Sequence, residues 1–365
     1  MPSLEQPLIT SPTLGLFPGR ASPRLYDRVI EVLRTRHYSP RTVETYVHWI
    51  RRFSKFHEGR HPRELRESDV AAFLSDLATR SKVAAATQNQ ALAAVLFLYR
   101  HVLEQPLGRV DGIVRARRPR RLPVALTEEE VALVMDQMSG TPKLVCQVLY
   151  GSGLRLLEAL ELRVKDIDFD RCEVIVRSGK GDRDRVTMLP ASLVESLKAH
   201  LVGAREQHLE DLAAGLGRVP LPHALARKYI SADREWLWQR VFPASSHYTE
   251  RTTGARYRHH LHETVVQKAV REAARRSGIP KRITTHTFRH SFATQLLKSG
   301  YDIRTVQELL GHEDVRTTMI YTHVLNRGGR GVRSPLDSIP EARQPTSYAD
   351  REKLLKPDHK SRDQG

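Results

Sequence analysis

Residues 284–324, TTHTFRHSFATQLLKSGYDIRTVQELLGHEDVRTTMIYTHV, set a His and an Arg three positions apart, a second His after a Leu-Leu-Gly turn, and a Tyr nine residues beyond it. Positions i and i+3 share a helix face, so His286 and Arg289 point the same way. Gly300 and Gly311 end two periodic apolar segments, Phe288 to Leu297 and Ile303 to Leu310, which predicts three short helices. One guanidinium, two imidazoles and one phenol come together as a result.

That set suits chemistry on a phosphodiester. A planar guanidinium matches the non-bridging oxygens of a phosphoryl group bidentately, in a way an ammonium does not. A second Arg stands upstream at Arg155, in YGSGLRLLEALELRVKDIDF, where Gly151 and Gly153 are expected to make a tight turn before a short helix from Leu154 to Leu162. Lys180 follows in IVRSGKGDRDRVTMLP, in a turn between two β-branched runs that read as strands.

The ordered set of Arg155, Lys180, His286 with Arg289, His312 and Tyr321 resembles the tyrosine recombinase family, over roughly residues 23–326. Within it, the words YGSGLRLLEAL, RSGKGDRDRVTMLP and YTHVLNRGG, with an extra segment before residue 262, look most like integron integrases. The resemblance implies a mainly α fold with a small antiparallel β-sheet, in which a helical core-binding domain precedes an α+β catalytic domain. It also implies a homotetramer on DNA in which one diagonal pair of subunits cuts at a time.

A formal net charge of +17, from 59 Lys and Arg against 42 acids, points to a polyanionic partner, and nucleic acid is the commonest one. At 365 residues and 40% hydrophobic content, two domains with proper cores are expected. Cys146 and Cys172 lie in apolar surroundings without metal-ligand spacing and read as small buried hydrophobes, which fits a reducing cytoplasm. No run of 18 apolar residues and no basic start followed by an apolar core stands in the sequence, so neither membrane insertion nor secretion is expected.

Residues 1–22 carry four prolines and read as a mobile arm. Four amphipathic patterns follow within 23–104, the second opening at Ser39-Pro40 and the fourth running from about Ala84 to Glu104, and together they predict a helical domain. Arg41 and Lys55 lie on its polar side and are candidate DNA contacts. Residues 105–126 hold three prolines, two glycines and six arginines against one acid, which marks both a linker and a phosphate-binding strap; Arg115, Arg117, Arg118, Arg120 and Arg121 carry that charge. The second domain, 127–326, opens on a capping box at Thr127 and Glu130, then two helices, a three-stranded meander over Val164 to Phe169, Glu173 to Arg177 and Arg183 to Leu189, and a helix from Pro190 to Leu212. Residues 327–365 are polar and breaker-rich and are expected to be largely disordered.

An insertion at about 213–262 interleaves aromatics with arginines, the pattern that stacks unpaired bases while gripping backbone. Packing into the core is an equally natural use of Trp236, Trp238 and Phe242. The resemblance implies that Trp236, Trp238, His259 and His260 help grip flipped-out bases of a folded single-stranded hairpin site. The His259-His260-x-His262 run has no ligand nearby to complete a tetrahedral set, so no metal is expected there.

Under the resemblance, Tyr321 is the nucleophile, Arg155 and Arg289 cradle the phosphate, His286 and His312 donate to it or manage protons, and Lys180 protonates the departing 5′ oxygen. Lys165 is a rival for that last role, and His290 reads as structural, bonding within its helix. The product is a 3′-phosphotyrosyl link, and exchange of one phosphodiester for another requires neither ATP nor any other cofactor. HTFRH is not HExxH, and neither GSGLR nor SGKGD is a GxxxxGK[ST] loop. A type IB topoisomerase-like enzyme that nicks and reseals, a non-catalytic DNA-binding protein on the same fold, and a metal-dependent nuclease are the competing readings.

Overall fold

The computed structural model describes residues 25–108, 123–177, 184–221, 223–250 and 253–324. Two compact units divide the chain, Met1–Arg121 and Leu122–Gly365. Lys180, Arg115, Arg117, Arg118, Arg120, Arg121, the N-terminal arm and the C-terminal tail lie outside the described residues.

Among the described residues of the first unit, four α-helices form: α1 Leu25–Thr35, α2 Pro40–Phe56, α3 Glu67–Thr79 and α4 Ala85–Phe97. Ser39 caps α2 by accepting from the Thr42 amide, and Pro40 occupies the first turn, where its missing N–H costs nothing. Apolar residues at helical spacing, including Leu33, Ile50, Phe53, Val70, Leu77 and Val95, close into one core. The fourth helix does not run unbroken to Glu104. It widens into a π-helical turn over Leu98–Val102, where the Tyr99 hydroxyl donates to the Pro62 carbonyl at 2.8 Å.

The second unit opens with α5, Glu128–Asp136, behind the expected capping box: the Glu130 amide donates to Thr127 Oγ1 and the Thr127 amide to Glu130 Oε2. Helix α6, Gly140–Ser152, includes Gly151 in its last turn, so the tight turn belongs to Gly153 alone, which ends α6 at φ 65°. Helix α7, Leu156–Leu160, is shorter than the sequence predicts, because Arg155 is its extended N-cap. Then come β1 Ile167–Asp168, β2 Glu173–Val176 and β3 Arg185–Met188, an antiparallel sheet in the order β1-β2-β3. The first strand is cut short because Asp166 turns the chain. Its carboxylate accepts from the Arg163 amide and from Arg177 Nε, making a 3-10 turn of Val164–Asp166.

Helix α8, Val194–Ala213, leads into the insertion: a short α9, His223–Lys228, two 3-10 turns, and a hairpin of β4 Pro243–Thr249 with β5 Arg256–His260. Helices α10 Glu263–Arg276, α11 Thr285–Lys298, α12 Ile303–Leu310 and α13 Val315–Thr318 follow, and a 3-10 turn over Met319–Val324 carries Tyr321. The chain is mainly α with small antiparallel sheets, as the sequence predicts. No helix among the described residues is long and apolar enough to cross a membrane.

Candidate active site

Local chain geometry decides where the reactive side chains meet. Gly153 holds a left-handed conformation between α6 and α7, and a Cβ there would stand 2.4 Å from the Phe292 ring. That close approach lays the Gly153 carbonyl against α11, where Arg289 Nη1 donates to it at 2.6 Å. Gly311, at φ 62°, ends α12 and turns His312 inward. Arg289 Nη2 donates to the Leu310 carbonyl at 2.6 Å and lies 3.1 Å from His312 Nε2.

A guanidinium only donates, so His312 Nε2 accepts, and its Nδ1–H is the donor to Thr318 Oγ1 at 2.9 Å. Burial, followed by the charge of Arg289 and Arg155, drives the His312 pKa down to about 3 and keeps the ring neutral. Arg289 is only 1% exposed, and burial lowers its pKa to about 9, which leaves it charged at neutral pH.

Glu158 supports these cations. Arg155 Nη1 donates to its Oε1 at 2.6 Å, Arg185 Nη1 and Nη2 donate to both of its oxygens at 3.1 and 2.6 Å, and Arg289 Nη1 stands 3.6 Å away. Burial opposes ionisation of Glu158, but the hydrogen bonds and charges of Arg185 and Arg155 outweigh it and hold the pKa down to about 2. Three guanidiniums against one carboxylate leave two positive charges uncompensated, a strong local field for a phosphodiester.

Tyr321 is 1% exposed and packs among Phe292, Leu297, Val306 and Leu310. Burial raises its pKa to about 12 against the pull of Arg289 and Arg155, so the phenol is protonated at neutral pH. The His290 imidazole makes its hydrogen bond outside its own helix. Its Nδ1 lies 2.7 Å from the Tyr321 hydroxyl, and the His286 ring packs edge-on against it at 4.4 Å. His286 is lowered by burial and then by Arg289 and Arg155.

Arg155, His286, Arg289, His312 and Tyr321 thus share one neighbourhood, tied by hydrogen bonds, ring packing and the fields of the two arginines. Glu158, Arg185, Thr318 and His290 join them, none of which the sequence reading assigned to the chemistry. For Glu158 a signal existed, since Arg155-x-x-Glu158 has capping-box spacing. Arg185 carried none, because its partners are 27 and 124 residues away.

The insertion lies apart from this hydrogen-bonded set. Phe242 is fully buried, and Trp236 packs partly buried against the same core, so the packing use holds for both. Trp238 carries the Lys165 ammonium 2.8 Å from its ring centroid. His259 and His260 sit ring to ring at 4.0 Å on β5, and burial lowers both, His259 to about 4. His262 caps α10 instead of facing them as a ligand, and among the described residues no group of three or more His, Cys, Asp or Glu could hold a metal. Ile230 and Leu237, at 89% and 55% exposed, are apolar groups of the insertion that periodicity did not single out. Arg41 and Lys55 are exposed on α2.

A helical unit followed by an α+β unit that gathers arginines, histidines and a tyrosine defines a class of DNA strand-exchange proteins, and comparison with known proteins bears on it directly. Residues 125–327 match the phage integrase family, and residues 25–109 match the phage integrase N-terminal SAM-like domain. An integrase/recombinase of Escherichia coli is 51% identical over 88% of this chain and 96% of its own length, and tyrosine recombinase XerD of Mycobacterium tuberculosis is 34% identical over 78% and 87%. The crystal structure of XerH bound to difH in a pre-cleavage complex superposes with a TM-score of 0.55 at 23% identity, covering 81% of each chain, and shows the shared fold. The chain belongs to the phage integrase family, and its enzyme class is that of the tyrosine site-specific recombinases.

Proposed function

We propose that this chain breaks and rejoins DNA through a 3′-phosphotyrosyl intermediate on Tyr321, and that it integrates and excises cassettes at integron-type sites, both as duplex and as folded single-stranded hairpins. The observation that carries the chemistry is the cluster itself: Arg155 and Arg289 around Glu158, with His312 against Arg289 and Tyr321 buried beside them. In this reading the two guanidiniums hold the non-bridging oxygens of the scissile phosphate, and neutral His312 and His286 lie within the same field. Lys180 protonates the departing 5′ oxygen. Exchange of one phosphodiester for another conserves the bond, so neither ATP nor metal takes part.

The cassette reading rests on the words YGSGLRLLEAL and RSGKGDRDRVTMLP and on the inserted hairpin β4–β5 with its histidines and tyrosines. Stacked Tyr248 and Tyr257, at 5.8 Å between centroids, together with the exposed Tyr229, are the groups best suited to unpaired bases. DNA contacts through Arg41, Lys55, the linker arginines, Trp238, His259 and His260, and assembly as a homotetramer, belong to the same proposal.

The test incubates the protein with a labelled bottom-strand hairpin nicked just 3′ of the expected cut, in EDTA, followed by a denaturing gel. A shifted band lost in Tyr321→Phe is expected. A band on duplex alone would retain the recombinase and remove the hairpin substrate; native-gel binding with no band on either would leave a non-catalytic DNA-binding protein.

A further inference from the structure

We infer that His290 is a further catalytic residue: it takes the Tyr321 proton through Nδ1 as the phenol attacks phosphorus. The inference rests on Tyr321 being the nucleophile. It is carried by contact geometry, since Nδ1 lies 2.7 Å from the phenolic oxygen. Among the described residues His290 is the hydrogen-bond partner of that hydroxyl.

The other imidazoles are worse placed. Both nitrogens of His312 are engaged, one by Arg289 and one by Thr318, so it has no free lone pair for a proton. His286 stacks edge-on against His290 rather than on the phenol. His290 itself is held by its place on α11, one turn beyond His286, and its ring also packs on the Tyr321 ring at 5.4 Å. Among the described residues, the groups that face it are His286 and Arg289 from its own helix and Tyr321 from the 3-10 turn. Burial, then the charges of His286 and Arg289, lower its pKa to about 4, so the ring is neutral at neutral pH, and in its Nε2–H tautomer Nδ1 is the acceptor. A phenol held at about 12 carries little phenolate in advance of attack, so its proton passes to this acceptor only as the bond to phosphorus forms.

The step balances. The Tyr321 O–H bond breaks and an Nδ1–H bond forms on His290, while the phenolic oxygen bonds to phosphorus. The P–O5′ bond breaks and its electron pair leaves with the 5′ oxygen, which takes a proton from the general acid. On rejoining, the 5′ hydroxyl gives its proton back to the general acid's conjugate base as its oxygen bonds to phosphorus, the P–O bond to Tyr321 breaks, and imidazolium His290 returns its proton to the departing Tyr321 oxygen. Arg155 and Arg289 bear the charge of the pentacoordinate phosphate in both directions.

The experiment is single-turnover cleavage of the nicked hairpin and its duplex counterpart by the full chain, with an ordinary scissile phosphate or a 5′-bridging phosphorothiolate. The sulfur leaves without a proton, so this probe separates activation of the nucleophile from protonation of the leaving group. With native-gel binding unchanged, His290→Gln is expected to cleave more slowly by on the order of 10² to 10⁴. The phosphorothiolate should restore Lys180→Ala and leave His290→Gln slow. The acid limb of the wild-type pH profile should vanish in His290→Gln, and added imidazole should accelerate His290→Ala.

Wild-type rates for His290→Gln on the phosphorothiolate, or rescue of His290→Gln in parallel with Lys180→Ala, would overturn the inference. So would His290→Ala cleaving as fast as wild type with an unchanged pH profile, which would reduce the contact to a resting position of the tyrosine. A covalent band that survives in Tyr321→Phe would instead overturn the underlying nucleophile assignment.

Discussion

Arg185 Nη2 donates to Glu158 Oε2 at 2.6 Å, and this pair, each side chain 10% exposed, joins strand β3 to α7, the helix that Arg155 caps. The same Arg185 donates from Nε to the Leu309 carbonyl at 3.1 Å, just ahead of the Gly311 turn that places His312. One residue thereby ties together the supports of both candidate phosphate-binding arginines and of His312.

Glu158→Ala is expected to strand three guanidiniums in a buried site, which costs about 3 to 5 kcal/mol. Urea unfolding would measure the loss, and cleavage should fall with it. Glu158 has a depressed folded pKa, so its contribution of about 3 kcal/mol is present above its unfolded value and is lost as pH falls from roughly 5 toward 2. The stability of the wild type should therefore decline across that window more steeply than that of Glu158→Gln. Parallel pH profiles would show that the carboxylate is not held in this way.

Gly153→Ala must adopt φ 65° with its methyl 2.4 Å from the Phe292 ring. Strain and overpacking together are expected to cost about 2 to 4 kcal/mol. An unchanged thermal midpoint would mean that α6 and α11 have room to part.

Arg289→Lys keeps the charge but cannot span the Gly153 and Leu310 carbonyls and His312 at once. Covalent product is expected to fall by on the order of 10² while DNA affinity changes little. Thr318→Val is gentler. It removes the acceptor of His312 Nδ1–H, and one lost hydrogen bond of about 1 kcal/mol predicts a roughly fivefold slower cleavage. A rate equal to wild type would show that the ring is oriented by Arg289 alone.

An excess of 17 positive charges implies binding driven by counterion release. Log K should fall with log salt with a slope of about 0.9 per phosphate neutralised on duplex DNA and about 0.7 on single strands. Titration on the hairpin and on the duplex measures both slopes, and a flat response would remove the basic surface from the binding account.

Much of the local structure was legible in the chain itself. The capping box at Thr127 and Glu130, the Ser39-Pro40 start of α2, and the Gly300 and Gly311 breaks all act within a few residues, and the structure follows them. Errors arose where a side chain redirected the backbone. Asp166 turned a predicted strand into a 3-10 turn, and Arg155 took a cap position where helix was expected.

The candidate site divides along the same line. His286, Arg289, His312 and Tyr321 fall within 36 residues, and their types and spacing alone announce phosphoryl chemistry. The partnership of Arg185 with Glu158, and that of His290 with Tyr321, depend on which helix faces pack together. Periodicity says that a face is buried but not what it is buried against. Helix α11 shows this directly: its sequence marks His286 and His290 as one turn apart, and only its packing on the 3-10 turn at Met319–Val324 brings the second of them onto the tyrosine hydroxyl.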